Sequence, residues 1–292
     1  MKKRFSIKNN LLDVIICAVL IVYVISFVLP LGWGFLTAFK TNRNFIEKPL
    51  GFPNPIEFSN FGEVVMKLSI EIPVKDGTKE VFFENMLLNS VIFSFGLAFV
   101  STFVPMVVSY AVAKYPYRLS KWIYSVVIVT MILPIVGSLP SEINMLRTLG
   151  LYDKFMGIIL MKCNFLGMYF LIFYAMYKSI PWAYAESAFI DGAGHFSVFL
   201  AIYMPLVQTT FFSVYLLNFI TYWNDYMTNA MYLPSMPTLA FGIHAKQFSG
   251  GLFSKPTMQL TTSIILAVPL IALFAAFQKR LMGSLTIGGI KG

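Results

Sequence analysis

Six stretches of this chain are each long and apolar enough to cross a bilayer as a helix, which takes about 20 residues. The first runs from Leu11 to Phe39, interrupted by Asp13 near its start and by Pro30, Gly32 and Gly34. The others are Met86 to Ala113, Trp122 to Leu139 (followed by Pro140 and containing Pro134), Phe155 to Tyr177, Phe199 to Tyr222 and Leu260 to Phe277. Composition agrees. Only 12% of the 292 residues are charged and 58% are hydrophobic, with mean hydropathy +0.74. Soluble domains carry about 25% charge, so lipid must cover much of this surface. The first run follows Lys2, Lys3, Arg4 and Lys8 but is too long for a signal peptide, and no small-residue cleavage site comes after it. It reads as a retained helix.

Basic residues set the orientation. Lys2, Lys3, Arg4, Lys8, Lys114, Arg118, Lys121, Lys178, Lys279, Arg280 and Lys291 fall on one side, against Glu186 and Asp191. They hug the span ends in short segments. The other side carries a similar number of basic residues, spread over long loops and matched by ten acids: Glu47, Glu57, Glu63, Glu71, Asp76, Glu80, Glu84, Glu142, Asp153 and Asp225. Both termini are therefore expected in the cytoplasm. The net charge of +9 is read as membrane orientation and not as a nucleic-acid surface, because the basic residues form no stripe. In the long outer loop, Lys67 to Val74, the turn Lys75-Asp76-Gly77 and Thr78 to Phe82 predict a small hairpin. Asn89 and Ser90 are expected near the N-terminus of the second helix. The chain is expected to divide into residues 1–81, with the N-terminal segment, first helix and hairpin loop, and a core of 82–292.

Several chemistries lack their residues. There is no phosphate-binding Gly-rich loop with Lys, no zinc spacing, and His195 and His244 are isolated. No cofactor or metal is expected in the chain. Cys17 and Cys163 lie in apolar runs and are expected as buried free thiols. The spans are nearly free of acids, which ion-coupled carriers use as relays. Lys162 is the one clear intramembrane charge. The chain thus looks like a transport path without its own engine, either a channel or a permease driven by a separate ATPase.

The stretch Pro181 to Phe196, between the fourth and fifth spans, bears on that choice. Pro181 suits a helix start. Ala185, Ala188 and Phe189 share one face at helical spacing. Gly192 and Gly194 flank Ala193 and permit a sharp bend. A second helix then leads through Phe199 and Ile202 to Pro205-Leu206. The result is a bent helix pair at the membrane surface, rich in small residues that let another backbone approach. It serves either as a plain connector or as a docking element.

The string Glu186-Ser187-Ala188, Asp191-Gly192-Ala193-Gly194, Phe199, Ile202 and Pro205-Leu206 closely resembles the Glu-Ala-Ala motif of ABC importer permeases, with Ser187 in place of the commoner Ala. Asn89-Ser90, Tyr110-Ala111, Gly150-Leu151, Trp223-Asn224-Asp225-Tyr226 and the C-terminal Gln278-Lys279-Arg280 to Gly292 are similar to carbohydrate-uptake permeases. The match is closest to the G-type subunit of maltose and oligosaccharide importers, from about Phe83 onward. This resemblance implies an all-α membrane protein of the type I ABC importer fold. It would have six transmembrane helices and a cytoplasmic coupling helix between the fourth and fifth. It implies a multi-pass cell-membrane permease, not an enzyme. The expected partners are a second homologous permease, two cytoplasmic ATP-binding subunits and an extracytoplasmic sugar-binding protein. Glu186, Ser187, Ala188, Asp191, Gly192, Ala193 and Gly194 would couple to the ATPase, with Ile290, Lys291 and Gly292 as further contacts. The loop between Trp223 and Thr257 would face the binding protein. A permease for a non-sugar solute, or a self-contained channel, is the competing expectation.

Candidate solute residues are Lys162, Asn164, Asn218, Tyr222, Trp223 and Asn224. The last four read first as an interfacial aromatic belt with a helix end, and second as part of a sugar site. Lys162 with Asn164 faces either the pathway or a carbonyl in a subunit interface. An acidic oligosaccharide would give a pathway lysine its partner.

Overall fold

The computed structural model describes residues 11–74, 77–115, 117–133 and 137–282. In chain order the helices and strands are α1 Leu11–Ala38, α2 Asn42–Glu47, α3 Ser59–Lys67, β1 Ser69–Val74, β2 Gly77–Phe82, α4 Phe83–Lys114, α5 Arg118–Ile132, α6 Leu139–Thr148, α7 Phe155–Lys162, α8 Met168–Ser179, α9 Ala183–Ile190, α10 His195–Val198, α11 Met204–Trp223, α12 Tyr226–Tyr232, α13 Leu239–Gln247 and α14 Pro256–Met282. Among the described residues, four helical stretches are long and apolar enough to cross a membrane: Val14–Ala38, Phe83–Lys114, His195–Trp223 and Pro256–Gln278.

The two remaining apolar runs differ from the sequence reading. The third stops at Ile132, after 15 helical residues, short of the expected Leu139. Pro134 disfavours helix in the residue before it. The fourth is two helices, α7 and α8, separated at Cys163–Gly167. The expected hairpin is present, with β1 and β2 antiparallel from Ser69↔Phe82 to Val74↔Gly77. Asn89 and Ser90 are not at a helix start. α4 begins at Phe83 without a side-chain cap, and the two residues instead tie down the chain at 237–239. Asn89 Nδ2 donates to the Pro237 carbonyl at 3.0 Å and Leu239 N donates to Ser90 Oγ at 2.7 Å.

The chain divides into two compact units, residues 1–68 with 246–267 and residues 69–245 with 268–292. In the first, α1 is uncovered from Val14 to Leu31. The C-terminal end of α1 is tied to the loop and helix that succeed it. Asn60 Nδ2 donates to the carbonyls of Ala38 (2.8 Å) and Lys40 (2.9 Å). The buried Lys40 ammonium donates to the carbonyls of Lys48 and Pro49, and burial lowers its pKa from the usual lysine value.

In the second unit, α4 packs along both α8 and α11. Phe95 meets Phe219 edge-on at 4.8 Å and Phe93 meets Tyr222 at 6.2 Å. Apolar packing alone gives helices no strong preference for one another over lipid, and interhelical hydrogen bonds supply specificity. Asn218 Nδ2 donates to Thr102 Oγ1 at 3.0 Å, both side chains buried, and the hydroxyls of Ser101 and Tyr222 are 2.7 Å apart. Small residues allow close approach: a Cβ on Gly96 would lie 2.9 Å from the Phe155 ring, and one on Gly157 only 2.3 Å from the Leu151 carbonyl oxygen. The thiols differ from expectation, since both Cys17 and Cys163 are exposed on this chain. Cys17 lies on the uncovered length of α1 and Cys163 at the break after α7.

The Gly157 contact is to backbone, which cannot swing aside as a side-chain tip can. Gly157→Ala is expected to destabilise the detergent-solubilised protein by about 1–3 kcal/mol, read as a lowered midpoint in thermal unfolding. An unchanged midpoint would place the α7 start elsewhere.

Candidate functional site

The segment between α8 and α11 is built as a capped helix, a turn and a second helix. α9 ends in a Schellman motif: Ala193 N donates to the Ala188 carbonyl at 2.9 Å and Gly192 N to the Phe189 carbonyl at 3.0 Å. Gly192 holds φ +83°, the left-handed region that suits glycine. Gly194 does not share this duty, since it precedes α10 at φ −77°. The sequence paired these glycines, but only Gly192 makes the bend.

The faces of α9 sort as the spacing predicts. Ala185 is fully buried, and Ala188 and Phe189 are half-buried. Glu186, Ser187, Asp191, Gly192 and Gly194 are exposed, and Ala193 is half-buried. Apolar side chains are exposed beside them: Ile190 at 85%, Phe196 at 73% and Tyr184 at 53%.

Aromatic rings fix this segment to the end of α4. Tyr115 Oη lies 2.9 Å from His195 Nδ1, and its ring meets Trp182 at 5.8 Å. Phe189 packs edge-on against His195 at 4.8 Å. Beneath them Tyr110, Tyr177, Phe199 and Tyr203 form a buried cluster. Lys114 Nζ donates to the Ile180 carbonyl at 2.5 Å and lies 5.0 Å from the Tyr203 ring centre. A cavity of about 960 Å³ opens here, with Lys114, Lys121, Lys178 and Trp182 in its walls. Three cations placed on one side by sequence thus meet at one end.

From His195 the helix runs unbroken to Trp223, through a π-helical turn at Phe199–Tyr203. Pro205 accounts for that turn, since its ring crowds the carbonyl four residues back, at Ala201, and donates no bond to it.

Toward the other end of this run lies a second cavity, of about 200 Å³, whose lining includes Ser101, Pro105, Lys162, Asn164, Asn218 and Tyr222. Four of the six sequence-derived solute candidates therefore come together. The other two do not line it. Trp223 is buried with its ring stacked on Phe219 at 5.7 Å, and Asn224 is exposed and caps α11 through the Ile220 carbonyl at 2.8 Å. Ser101 and Tyr169 also line the cavity, and no sequence motif marked them. Pro105 offered a signal: it leaves the Ser101 carbonyl without its helical donor, an irregularity that suits a polar cavity. Ile290, Lys291 and Gly292 lie outside the described residues.

Beyond this cavity the chain is laced by polar side chains. Tyr232 Oη donates to Glu142, and Asp153 Oδ1 accepts from Ser235 N (3.0 Å) and Ser235 Oγ (2.8 Å). Hydrogen bonds from Ser138 and Tyr232 hold the Glu142 carboxyl below the usual range.

A sequence model described as the binding-protein-dependent transport system inner membrane component matches residues 101–285. The chain is 24% identical over 273 residues to the trehalose transport system permease protein SugB of Mycobacterium tuberculosis, covering 90% of this chain and 92% of that protein. It is 23% identical over 283 residues to the diacetylchitobiose uptake system permease protein NgcG of Streptomyces coelicolor, covering 93% and 86%. The fold matches a chain from the crystal structure of a bacterial ABC transporter involved in the import of the acidic polysaccharide alginate. That match has a TM-score of 0.77 at 20% identity and covers 95% of this chain and 99% of that one.

The bend and the carboxylate network each generate an expected outcome. Gly192→Ala is expected to strain the bend by about 1–2 kcal/mol, while Gly194→Ala, with open space around its Cβ, is expected to be silent. Hydrogen exchange of residues 183–198 reads the difference, and equal effects would contradict the assigned turn. Because the folded Glu142 carboxyl titrates below its ordinary 4.5, its stabilisation is complete above that pH and is lost as pH falls through the depressed folded value. Thermal midpoints from pH 7 to pH 3 should show a shallower acid loss in Glu142→Gln; an identical profile would remove Glu142 as a contributor.

Proposed function

The chain belongs to the binding-protein-dependent transport system inner membrane component family, and from that premise we propose that it is the permease of an ATP-driven carbohydrate importer, one of a heterodimeric pair. The family consists of transport components and not enzymes, so ATP hydrolysis resides in a separate subunit. The carbohydrate class is supported by relatives named for trehalose and diacetylchitobiose and by the amide-and-ring lining of the Lys162 cavity.

In this reading the chain crosses the membrane six times. α5 and the broken α7–α8 pair complete the set begun by the four long helices, and both termini lie in the cytoplasm. The uncovered apolar length of α1 is covered by lipid or by the second permease. Residues 181–197 form the coupling element, docked on one of two cytoplasmic ATPases. Glu186, Ser187, Ala188, Asp191, Gly192, Ala193 and Gly194 make the contact, and Ile290, Lys291 and Gly292 reach the same subunits. Lys162, Asn164, Asn218 and Tyr222 form this chain's share of the solute path, and the loop after Trp223 receives the binding protein.

The observation that carries the reading is α9 itself. Its buried Ala185 holds the element down while Glu186, Ile190 and Asp191 stay uncovered. An exposed apolar residue flanked by acids, on an element clamped by aromatic rings, suits a docked partner. ATP-driven closure of the ATPases would move this element as a rigid body and shift the helices between inward- and outward-facing populations.

Glu186→Ala is expected to leave membrane insertion and assembly intact while reducing uptake about tenfold or more, the loss typical of one buried charged contact. ATP hydrolysis should no longer respond to the loaded binding protein. Normal uptake by Glu186→Ala together with Asp191→Ala would contradict the docking assignment.

A further inference from the structure

We propose that the transported saccharide is acidic, and that Lys162 selects it by pairing with its carboxylate. The proposal rests on the carbohydrate-permease reading and narrows its substrate class.

Lys162 is the eighth and last residue of α7, so in the six-span reading it lies roughly 10 Å along that crossing, and α8 supplies roughly 18 Å more. An ammonium at such depth is costly and marks a solute path or a paired structural site. Among the described residues, no carboxylate lies within 4 Å of the Lys162 ammonium; the ion pairs there are Arg43–Glu47 and Lys67–Glu63. Glu142 is near enough to sense the ammonium, but its carboxylate is engaged by Tyr232 and Ser138. Among the described residues, the one contact recorded for the Lys162 ammonium is the Tyr222 ring, at 5.9 Å, the outer limit of a cation–π interaction.

The surroundings suit a hydrated sugar with one negative group. Ser101, Asn164, Asn218, Tyr169 and Tyr222 bring hydroxyls, amides and rings to the cavity, and Lys162 is its only charged lining residue among those described. The chain is non-helical at Cys163–Gly167, and Asn164 is exposed there. Irregular backbone at membrane depth is tolerated where protein buries it or where it lines a water-filled cavity. Water would solvate the ammonium in the empty state, and a carboxylate would replace that water on loading. Lys162 stands at the C-terminal end of α7, beside the cavity.

The test uses the complete importer, with its own binding protein, in proteoliposomes. Uptake is measured for a panel of neutral di- to tetrasaccharides and their uronic-acid counterparts, including cello-oligosaccharides against glucuronic-acid oligomers of the same linkage. The wild type should take up uronic-acid members. Lys162→Gln should lower that uptake about 10- to 100-fold, as loss of a charge-assisted contact does, and Lys162→Arg should retain most of it. Uptake confined to neutral sugars would overturn the proposal and leave the permease reading standing. Loss of assembly and basal hydrolysis in Lys162→Gln would overturn it in favour of a subunit-interface role. Equal uptake by wild type and Lys162→Gln would also overturn it. A panel in which no saccharide enters would instead count against the carbohydrate reading, and the proposal with it.

Discussion

The pairing of α4 with α11 is the contact on which both functional regions depend. In lipid, apolar surface alone does not choose a partner, so the register is set by the few polar side chains that cross. Here these are Asn218 on Thr102 and Tyr222 on Ser101. Each pair is stabilising on its own by about 0.6–2 kcal/mol. Their larger effect is geometric. They fix which faces of the helices meet, and so place the walls of the Lys162 cavity. At the far end of α4, Tyr115 meets His195, where the helical run into α11 begins.

This arrangement links two regions that are distant in space. The helical run from His195 to Trp223 is about 43 Å long at 1.5 Å per residue, with the exposed segment at one end and the cavity toward the other. In the proposed reading, a push on α9 would enter this run through the Gly192 turn and the aromatic clamp. The π-helical turn at Phe199–Tyr203 is the irregular point along it. Such turns bend helices and often mark functional positions. The structure thus joins the exposed segment to the cavity by one continuous helical run.

Four of the six apolar runs, the hairpin and the bend after α9 were legible in the sequence, because bilayers impose a simple length rule and the Glu186–Gly194 string carries its own spacing. The α9 faces and the hairpin register reflect periodicities of 3.6 and 2. Other features were hidden for definite reasons. The break at Cys163–Gly167 is flanked by apolar residues on both sides, so hydropathy reads straight through it. Asn89 and Ser90 resemble a helix start but bond to residues almost 150 positions away, and a local pattern cannot show such a contact. Gly192 and Gly194 look equivalent as letters, yet only one has positive φ. Trp223 and Asn224 are chain neighbours of Tyr222, but helical spacing turns them away from the cavity that Tyr222 and Asn218 share.

The central claim is that residues 181–197 transmit the work of a separate ATPase. Site-directed cross-linking tests it most directly. In a complex with Cys17 and Cys163 replaced by serine, Ile190→Cys labelled with benzophenone maleimide should photo-cross-link efficiently to the ATPase subunit, in a manner altered by ATP. Phe248→Cys, also highly exposed but in the loop assigned to the outer face, should not. Failure of Ile190→Cys to reach the ATPase in an assembled, hydrolysing complex would contradict the account.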